Sequence, residues 1–418
     1  MRDYLKVINI KEWEEEITTD EISKRISKQG EFPTKYRIKN YTFPIVCGLI
    51  SSRDLFAAAL GIDKGQIINY IFEKLSKLKR YKVVNEAPFL TNSISVDSNT
   101  DLEKYIPMIK FYGDKKYITS SIIITEYPEE NRQNMSFHRL MYLGANKFSI
   151  RIVPQRHLDK AYLNSIKNDE DLKVAVICGV HPAIEISASF SAPQLDELSL
   201  ASTFLEELTT YRLPNGINVP SDAEFVLEGR ITRNMAKEGP FVDLTGTIDI
   251  IRSQPVLEIE KLYFREDPIF RTILPGGKEH KMLMGIPQEP RMFRFISNTV
   301  STIKNVVLTP GGNCWLHAVV QITKRTEGDA KNTILAALAA HPSLKRVIIV
   351  DEDINIYDPE DVEWAVATRV QPDKDLLIIP NSKGSSLDPS SKKSITCKWG
   401  IDATKPLEKS EGFNKVEF

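Results

Sequence analysis

Ala223-Glu224-Phe225-Val226-Leu227-Glu228-Gly229-Arg230 and, downstream, Val256-Leu257-Glu258-Ile259-Glu260-Lys261-Leu262-Tyr263-Phe264 are the stretches that decide the fold. Both are rich in β-branched and aromatic residues, which suit a pleated, half-buried surface, so both read as strands. The same composition marks Tyr117 to Thr125, Phe148 to Val153, Leu172 to Cys178 and Thr245 to Arg252. So many strands in one segment predict a barrel or a sandwich. Helices are expected to interrupt it at about 157–168 and 195–208, the second preceded by Pro193, a residue suited to a first turn.

Outward from this segment the pattern becomes α/β on both sides. Towards the N-terminus, Ile10 to Gln29 has helical spacing with mixed charge, and Gln66 to Lys79 places Ile67, Ile68, Ile71, Phe72 and Leu75 on one face. Towards the C-terminus, strands at 306–308, 315–323, 347–350 and 376–379 alternate with helices at 330–341 and 359–368, a second α/β unit. After Ile379 the chain is rich in Ser, Lys and Pro, and a long loop is expected. Dividing 418 residues by about 150 per domain gives three domains. We place them at 1–110, 111–290 and 291–418.

Composition excludes several function classes. Lys and Arg number 55 against 56 Asp and Glu, a net charge of −1 that offers no global attraction to nucleic acid or to an anionic membrane. Hydrophobic residues make up 42% and charged residues 27%, the proportions of an ordinary globular protein rather than a disordered one. No run approaches the length of a membrane span, and the N-terminus does not read as a signal peptide, so a cytoplasmic location is expected. Cys47, Cys178, Cys314 and Cys397 lie far apart and form no zinc or thiol-exchange pair.

Several motifs have bland readings. Asp351 to Asn355 opens like a calcium loop, but Ile356 and Val362 stand where that loop needs Gly and Glu. Pro275-Gly276-Gly277-Lys278 lacks the first Gly and the hydroxyl residue of a phosphate loop. His181 and Glu185 have metal-ligand spacing, yet Pro182 between them favours a turn. Two segments carry more, although a solvated loop is the plainer reading of the first and solvated turn acids that of the second. Asn134 and Arg139, followed by Arg151, Arg156 and His157, suit a phosphorylated ligand bound through a divalent metal. Glu238-Gly239-Pro240-Phe241-Val242-Asp243 sets two carboxylates around a turn between strands, which can raise one pKa enough for proton donation.

Taken together, these segments resemble the UbiD family of decarboxylases, which use prenylated FMN. Asn134-Met135-Ser136-Phe137-His138-Arg139 is similar to the family's N-x-x-x-[YH]-R stretch, and Leu195-Asp196-Glu197 to its L-x-E segment. Val226-Leu227-Glu228-Gly229 and Glu238 to Asp243 are similar to V-L-E-G and E-G-P-[FY]-G-[DE]. Asp351 to Asn355, Val362 to Arg369 and Gly400-Ile401-Asp402-Ala403-Thr404 are similar to its three C-terminal runs. The resemblance covers most of the chain, in family order.

The resemblance implies an N-terminal α/β domain, a central flavin-reductase-like split β-barrel that binds the cofactor, and a C-terminal α/β domain that dimerises. It places Phe137, His138, Arg139, Arg151, Ile152, Val153, Arg156 and His157 against the flavin. Asn134, Glu197 and, as a third ligand, His157 would hold Mn2+ or Mg2+ on the cofactor phosphate, with K+ as a further ion. Arg139 would lie between Glu238 and Asp243, with Asp243 as the proton donor. A flavin prenyltransferase would supply the cofactor, and the chain would form a homodimer or a higher oligomer.

Val242 in place of the usual Gly, His181 in place of the usual Asp, and the short chain look most like the archaeal members that convert trans-anhydromevalonate 5-phosphate to isopentenyl phosphate in a modified mevalonate pathway. For such a phosphorylated substrate, Lys278, His280 and Lys281 are candidate anchors, though a solvated basic loop accounts for them equally well. The alternatives are a decarboxylase of a hydroxybenzoate- or cinnamate-type acid and a flavin-binding protein with no activity. Arg139, Glu238 and Asp243 together argue against the last, because a carrier needs no proton donor.

Overall fold

The computed structural model describes residues 1–127, 132–408 and 410–416. The chain divides into two compact units, Met1–Leu283 and Met284–Phe418. The first is built on a 10-stranded sheet. Its longest strands are the two that open the sequence reading, Phe225–Glu238 and Arg252–Phe264. They run antiparallel with Phe225 opposite Phe264 at one end and Glu238 opposite Arg252 at the other. Gly229 sits at a register shift between them, where a Cβ would run into the backbone carbonyl of Glu258, so only glycine fits the bulge.

On one side of this pair the sheet continues through Leu172–Cys178, Ile122–Tyr127 and Arg132–Phe137. On the other it continues through Lys147–Ile150, Leu140–Gly144, Lys116–Ile118 and Ile109–Lys110, and Asn92–Ser95 pairs with Arg252–Phe264 off this path. The result is a mixed α/β fold with several sheets. The main sheet runs as an open path with no ladder joining its two ends among the described residues, and in that respect it differs from a closed barrel. One core lies behind it, with Leu227, Ile231, Leu257, Ile259, Val174, Val176 and Phe148 all buried. Burial of this many large apolar side chains is the dominant stabilising term of such a sheet.

Two expectations from the sequence are corrected here. Ile10 to Gln29 is not one helix: Lys11–Ile17 is a strand parallel to Thr34–Ile38, and the helix spans Thr19–Gln29. A capping box of Thr18 with Glu21 starts that helix and separates it from the strand. The stretch after Ile379 is not a long loop throughout. Ile395–Asp402 is a strand of the second unit's sheet, between Arg346–Val350 and Leu376–Lys383.

That second unit has a five-stranded sheet, with the expected helices at Asp329–Ala340 and Pro359–Arg369. Asp351 and Asp353 both pair with the buried Arg369, which accounts for the acidic run without calcium. Among the described residues no helix is long and apolar enough to cross a membrane.

Candidate active site

The long strands of the first unit are joined by a short hairpin, and it carries the acids. Phe241–Val242 pairs with Ile248–Asp249, placing Asp249 opposite Phe241. Asp243 opens the turn: its N–H donates to the Thr247 carbonyl at 2.9 Å, its carbonyl accepts from Gly246 at 2.9 Å, and its Oδ1 accepts from the Leu244 N–H at 2.7 Å.

Arg139 lies beneath this hairpin. Its Nε and Nη2 donate to the two carboxylate oxygens of Glu238, each at 2.9 Å, and Nη2 also donates to Asp249 Oδ2 at 3.0 Å. Its guanidinium carbon stands 4.4 Å from the Phe241 ring centroid. Tyr117 donates its hydroxyl to Glu238 Oε1 at 3.4 Å and packs its ring on Phe241. Glu238 is wholly buried. Burial works against the charge on Arg139, but the bonds to Glu238 and Asp249 outweigh it and lift its pKa above the ordinary arginine value. Burial also opposes the charge of Asp249, yet Arg252 and Arg139 hold its pKa below the usual carboxylate range.

The structure therefore joins Arg139 to Glu238 as expected, with Asp249 rather than Asp243 as the second acid in contact. The charge of Asp243 acts instead on His280. The His280 Nδ1 accepts from the Gly276 N–H at 3.0 Å, which leaves Nε2 to carry the proton. Burial pushes its pKa down to about 4, opposed by Asp243 and reinforced by Arg139 and Lys281. His280 is thus a neutral donor near physiological pH.

The residues expected to face the cofactor lie on the adjacent strands. His138 donates from Nδ1 to the Arg151 carbonyl at 2.8 Å, and its Nε2 is 3.0 Å from the Ser136 hydroxyl. Burial pushes its pKa down to about 4. Phe137 ends the strand Arg132–Phe137, and the Ile152 N–H donates to Gln254 Oε1 at 2.8 Å. Val153 is exposed. Arg156 immediately precedes the helix His157–Lys167 and donates to Ser191 Oγ at 3.2 Å.

Glu197, the first residue of the helix Glu197–Phe204, accepts from the Met135 N–H at 3.2 Å, next to Asn134, and His157 Nδ1 is 3.9 Å from its Oε1. The Glu197 side chain is almost wholly buried, and burial pushes its pKa up to about 8 against the N–H groups of Met135 and Glu197 itself. A carboxylate, an imidazole and an amide are donors that a hard divalent cation accepts, so this set fits such an ion. Among the described residues no group of three or more His, Cys, Asp and Glu side chains is gathered for a metal, so the set depends on its Asn.

Below the site is a second charged cluster, which the sequence reading missed. Arg271 donates to both oxygens of Glu185, at 3.0 and 3.2 Å, and to Glu279. Glu279 also accepts from the N–H groups of Gly48 and Ile50, at 3.0 and 2.7 Å. Glu31 caps the helix Lys278–Gly285 by accepting from the N–H groups of Lys278 and Glu279. This leaves His181 and Glu185 as structural residues: His181 caps the helix Pro182–Ser189 and Glu185 holds Arg271. Asp249 and Arg252 were also missed, although both fall within the expected strand from Thr245 to Arg252.

Residues 82–278 match the family model described as the UbiD 3-octaprenyl-4-hydroxybenzoate carboxy-lyase Rift-related domain, and residues 281–403 match that of its C-terminal domain. The chain is 48% identical over 379 residues, 89% of each sequence, to the anhydromevalonate phosphate decarboxylase of Methanocaldococcus jannaschii. It superposes on the UbiD-class enzyme HmfF from Pelotomaculum thermopropionicum in complex with FMN with a TM-score of 0.96 and 34% identity, covering 100% of this chain and 97% of that one. An evolved dimeric form of HmfF in complex with prFMN gives 0.92 and 33%, covering 100% of this chain and 96% of that one. The chain belongs to the UbiD family.

Proposed function

We propose that the protein is a carboxy-lyase that removes CO2 from an α,β-unsaturated acid with the help of prenylated FMN, and that its substrate is trans-anhydromevalonate 5-phosphate, released as isopentenyl phosphate. The observation that carries this reading is the 48% identity to the Methanocaldococcus jannaschii enzyme over 89% of the chain. The Arg139–Glu238 pair supports it from the side of chemistry.

Prenylated FMN, when bound, supplies the electron sink for the charge left on carbon as CO2 departs. The protein supplies binding and protons. Arg139, held rigid by Glu238 and Asp249, presents its fixed charge to the substrate carboxylate and orients it. Asp243, outside the grip of Arg139 and at the head of its own turn, gives a proton to the carbon that has lost CO2. Neutral His280, on which the charge of Asp243 acts, adds no second positive charge. Phe137, His138, Arg151, Ile152, Val153, Arg156 and His157 would line the flavin. Asn134, Glu197 and His157 would hold Mn2+ or Mg2+ against its phosphate, with K+ as an additional ion.

The reading extends to a central sheet curled as a split barrel, a three-domain division near residues 110 and 290, a homo-oligomer, and a flavin prenyltransferase as supplier of the cofactor. The test offers trans-anhydromevalonate phosphate and a cinnamate-type acid to the holoenzyme and measures CO2 release from each. Release from the phosphorylated acid alone is expected; release from the aromatic acid alone would overturn the assignment.

A further inference from the structure

We propose that Asp249 is a positioning residue that occupies the second acid site of Arg139 and so leaves Asp243 unpaired, as a proton donor has to be; the inference rests on the function proposed above. The hairpin sets two acids in competition for one arginine. Phe241 and Asp249 are directly opposite in its ladder, and the side chains of such a pair share a face. Both meet Arg139: the Phe241 ring centroid is 4.4 Å from its guanidinium carbon, and Asp249 Oδ2 is 3.0 Å from its Nη2. Asp243 prolongs the pairing by donating its N–H to the Thr247 carbonyl, and the two-residue period of a strand returns it to the face of Phe241. Asp243 and Asp249 are thus diagonal neighbours on one face, about 7–8 Å apart, a distance that a change of rotamer carries a guanidinium across.

Asp249 holds the position because it is fixed on every side. Its Oδ1 accepts from the Ile250 N–H at 2.9 Å, and its Oδ2 lies 2.5 Å from Arg252 Nη1 as well as 3.0 Å from Arg139 Nη2. Arg252 is itself tied down, donating from Nη1 to the Ile250 carbonyl at 3.2 Å and standing opposite Glu238 in the ladder of the long strands. Arg139 and Arg252 with Glu238 and Asp249 are two cations and two anions, so the charges balance without Asp243. Asp243 is turned to its own loop: Oδ1 accepts from the Leu244 N–H, and Gly276 packs on its carbonyl so closely that a Cβ there would be 2.9 Å away.

The difference matters for the chemistry. A carboxylate in contact with an arginine is held ionised and has no proton to give, whereas an acid outside a balanced set can carry a proton without stranding a buried charge. The other titratable groups here are His280, which is neutral, and Lys281, both acting in the same neighbourhood as Asp243 and Arg139. Without Asp249, Arg139 and Arg252 would share Glu238 alone, and Asp243 would be drawn in as the missing anion.

The experiment compares the holoenzymes of wild type, Asp249→Asn, Asp249→Glu and Asp243→Asn. Crystal structures locate the Arg139 guanidinium. Infrared spectra recorded against pH follow the carboxyl stretch of protonated Asp243, assigned by its loss in Asp243→Asn, and kcat is measured against pH with trans-anhydromevalonate phosphate. In Asp249→Asn, Arg139 is expected to keep Glu238 and turn to Asp243. The infrared signal should then vanish about one pH unit below its wild-type limit, and the alkaline fall of kcat should move down with it, a drop of about tenfold near neutral pH with flavin per chain unchanged. Asp249→Glu retains an acid and should restore part of the wild-type pH dependence. Arg139 bound to Asp243 in the wild type, Arg139 left in place in Asp249→Asn, or a loss of kcat with the same pH dependence as wild type would each overturn the proposal. If Arg139 moves and the infrared signal shifts, yet wild type releases no CO2 from the phosphorylated acid, the functional reading fails and the positioning role stands.

Discussion

Arg139 and Glu238, 99 residues apart in sequence, meet through two parallel bonds of 2.9 Å beneath the hairpin that carries Asp243 and Asp249. The carboxylate is wholly buried and the guanidinium nearly so. Replacing one member of such a pair leaves the other charge without its partner, which costs more than the pair itself contributes. Because Asp249 still holds Arg139, Glu238→Gln should cost about 2–3 kcal/mol, below the usual penalty for a broken buried pair. Urea unfolding measures this, and a loss under about 0.5 kcal/mol would place the pair at a screened surface instead.

The two hairpin acids should separate in kinetics. Asp243→Asn removes the proposed proton donor and should lower kcat about 100- to 10,000-fold with flavin content unchanged. Asp249→Asn removes one of three bonds to Arg139 and should lower kcat only about tenfold. A reversed order of these two losses would make Asp249 the donor.

Glu31 gives a pH dependence with a definite sign. Burial, with the charge of Glu279 added, pushes its pKa up to about 7, against the N–H groups of Glu279 and Lys278 and the charge of Arg271. The folded chain then keeps this proton over a range in which the unfolded chain has lost it, from the ordinary value near 4.5 up to about 7. Stability from this group is full below the unfolded pKa and is lost as pH rises through the folded one, on the order of 3 kcal/mol in all. Glu31→Gln mimics the protonated form, so it should be closer to wild type, or even more stable than it, at pH 8 than at pH 5. Urea unfolding at several pH values tests this, and a difference that stays constant from pH 5 to 8 would refute it.

At the proposed metal pole, Glu197→Ala should lower both divalent metal and flavin per purified chain by about tenfold, since a carboxylate is the strongest of the three donors. Elemental analysis and absorbance read the two contents independently. Unchanged metal would reject the ligand role.

What could be read from the sequence divides along contact range. The long strands around Val226 and Leu257, and the helices at Ile67–Ser76 and His157–Lys167, have local patterns strong enough to be seen. Lys11–Ile17 was misread because its glutamates favour a helix and Trp13 and Ile17 are four apart, whereas parallel pairing with Thr34–Ile38 decides the outcome. Arg139 and Glu238 each stood out locally, but their pairing was legible only through the resemblance, which placed them together without their geometry. Asp249 escaped because nothing in its local sequence distinguishes it from a solvated turn acid. Its role arises when hairpin pairing sets it over an arginine 110 positions away. The roles of Glu185, Glu279 and Glu31 escaped for the same reason: Glu185 and Glu279 share Arg271, which is remote from Glu185 in sequence, and Glu31 reaches the N–H groups of the distant Lys278 and Glu279.

The cap on the helix Lys278–Gly285 bears on how far the first unit can be dissected. Glu31 binds the first N–H groups of that helix, and Gly48 and Ile50 bind Glu279 within it. The opening fifty residues are therefore a clasp on the element that carries His280. A fragment starting at residue 82 would retain every position matched by the family models, Arg139, Glu238 and Asp243 included. Yet it would leave Glu279 and Arg271 open to water and the helix unanchored. The residues matched by the family models should therefore not fold as an autonomous piece of this chain.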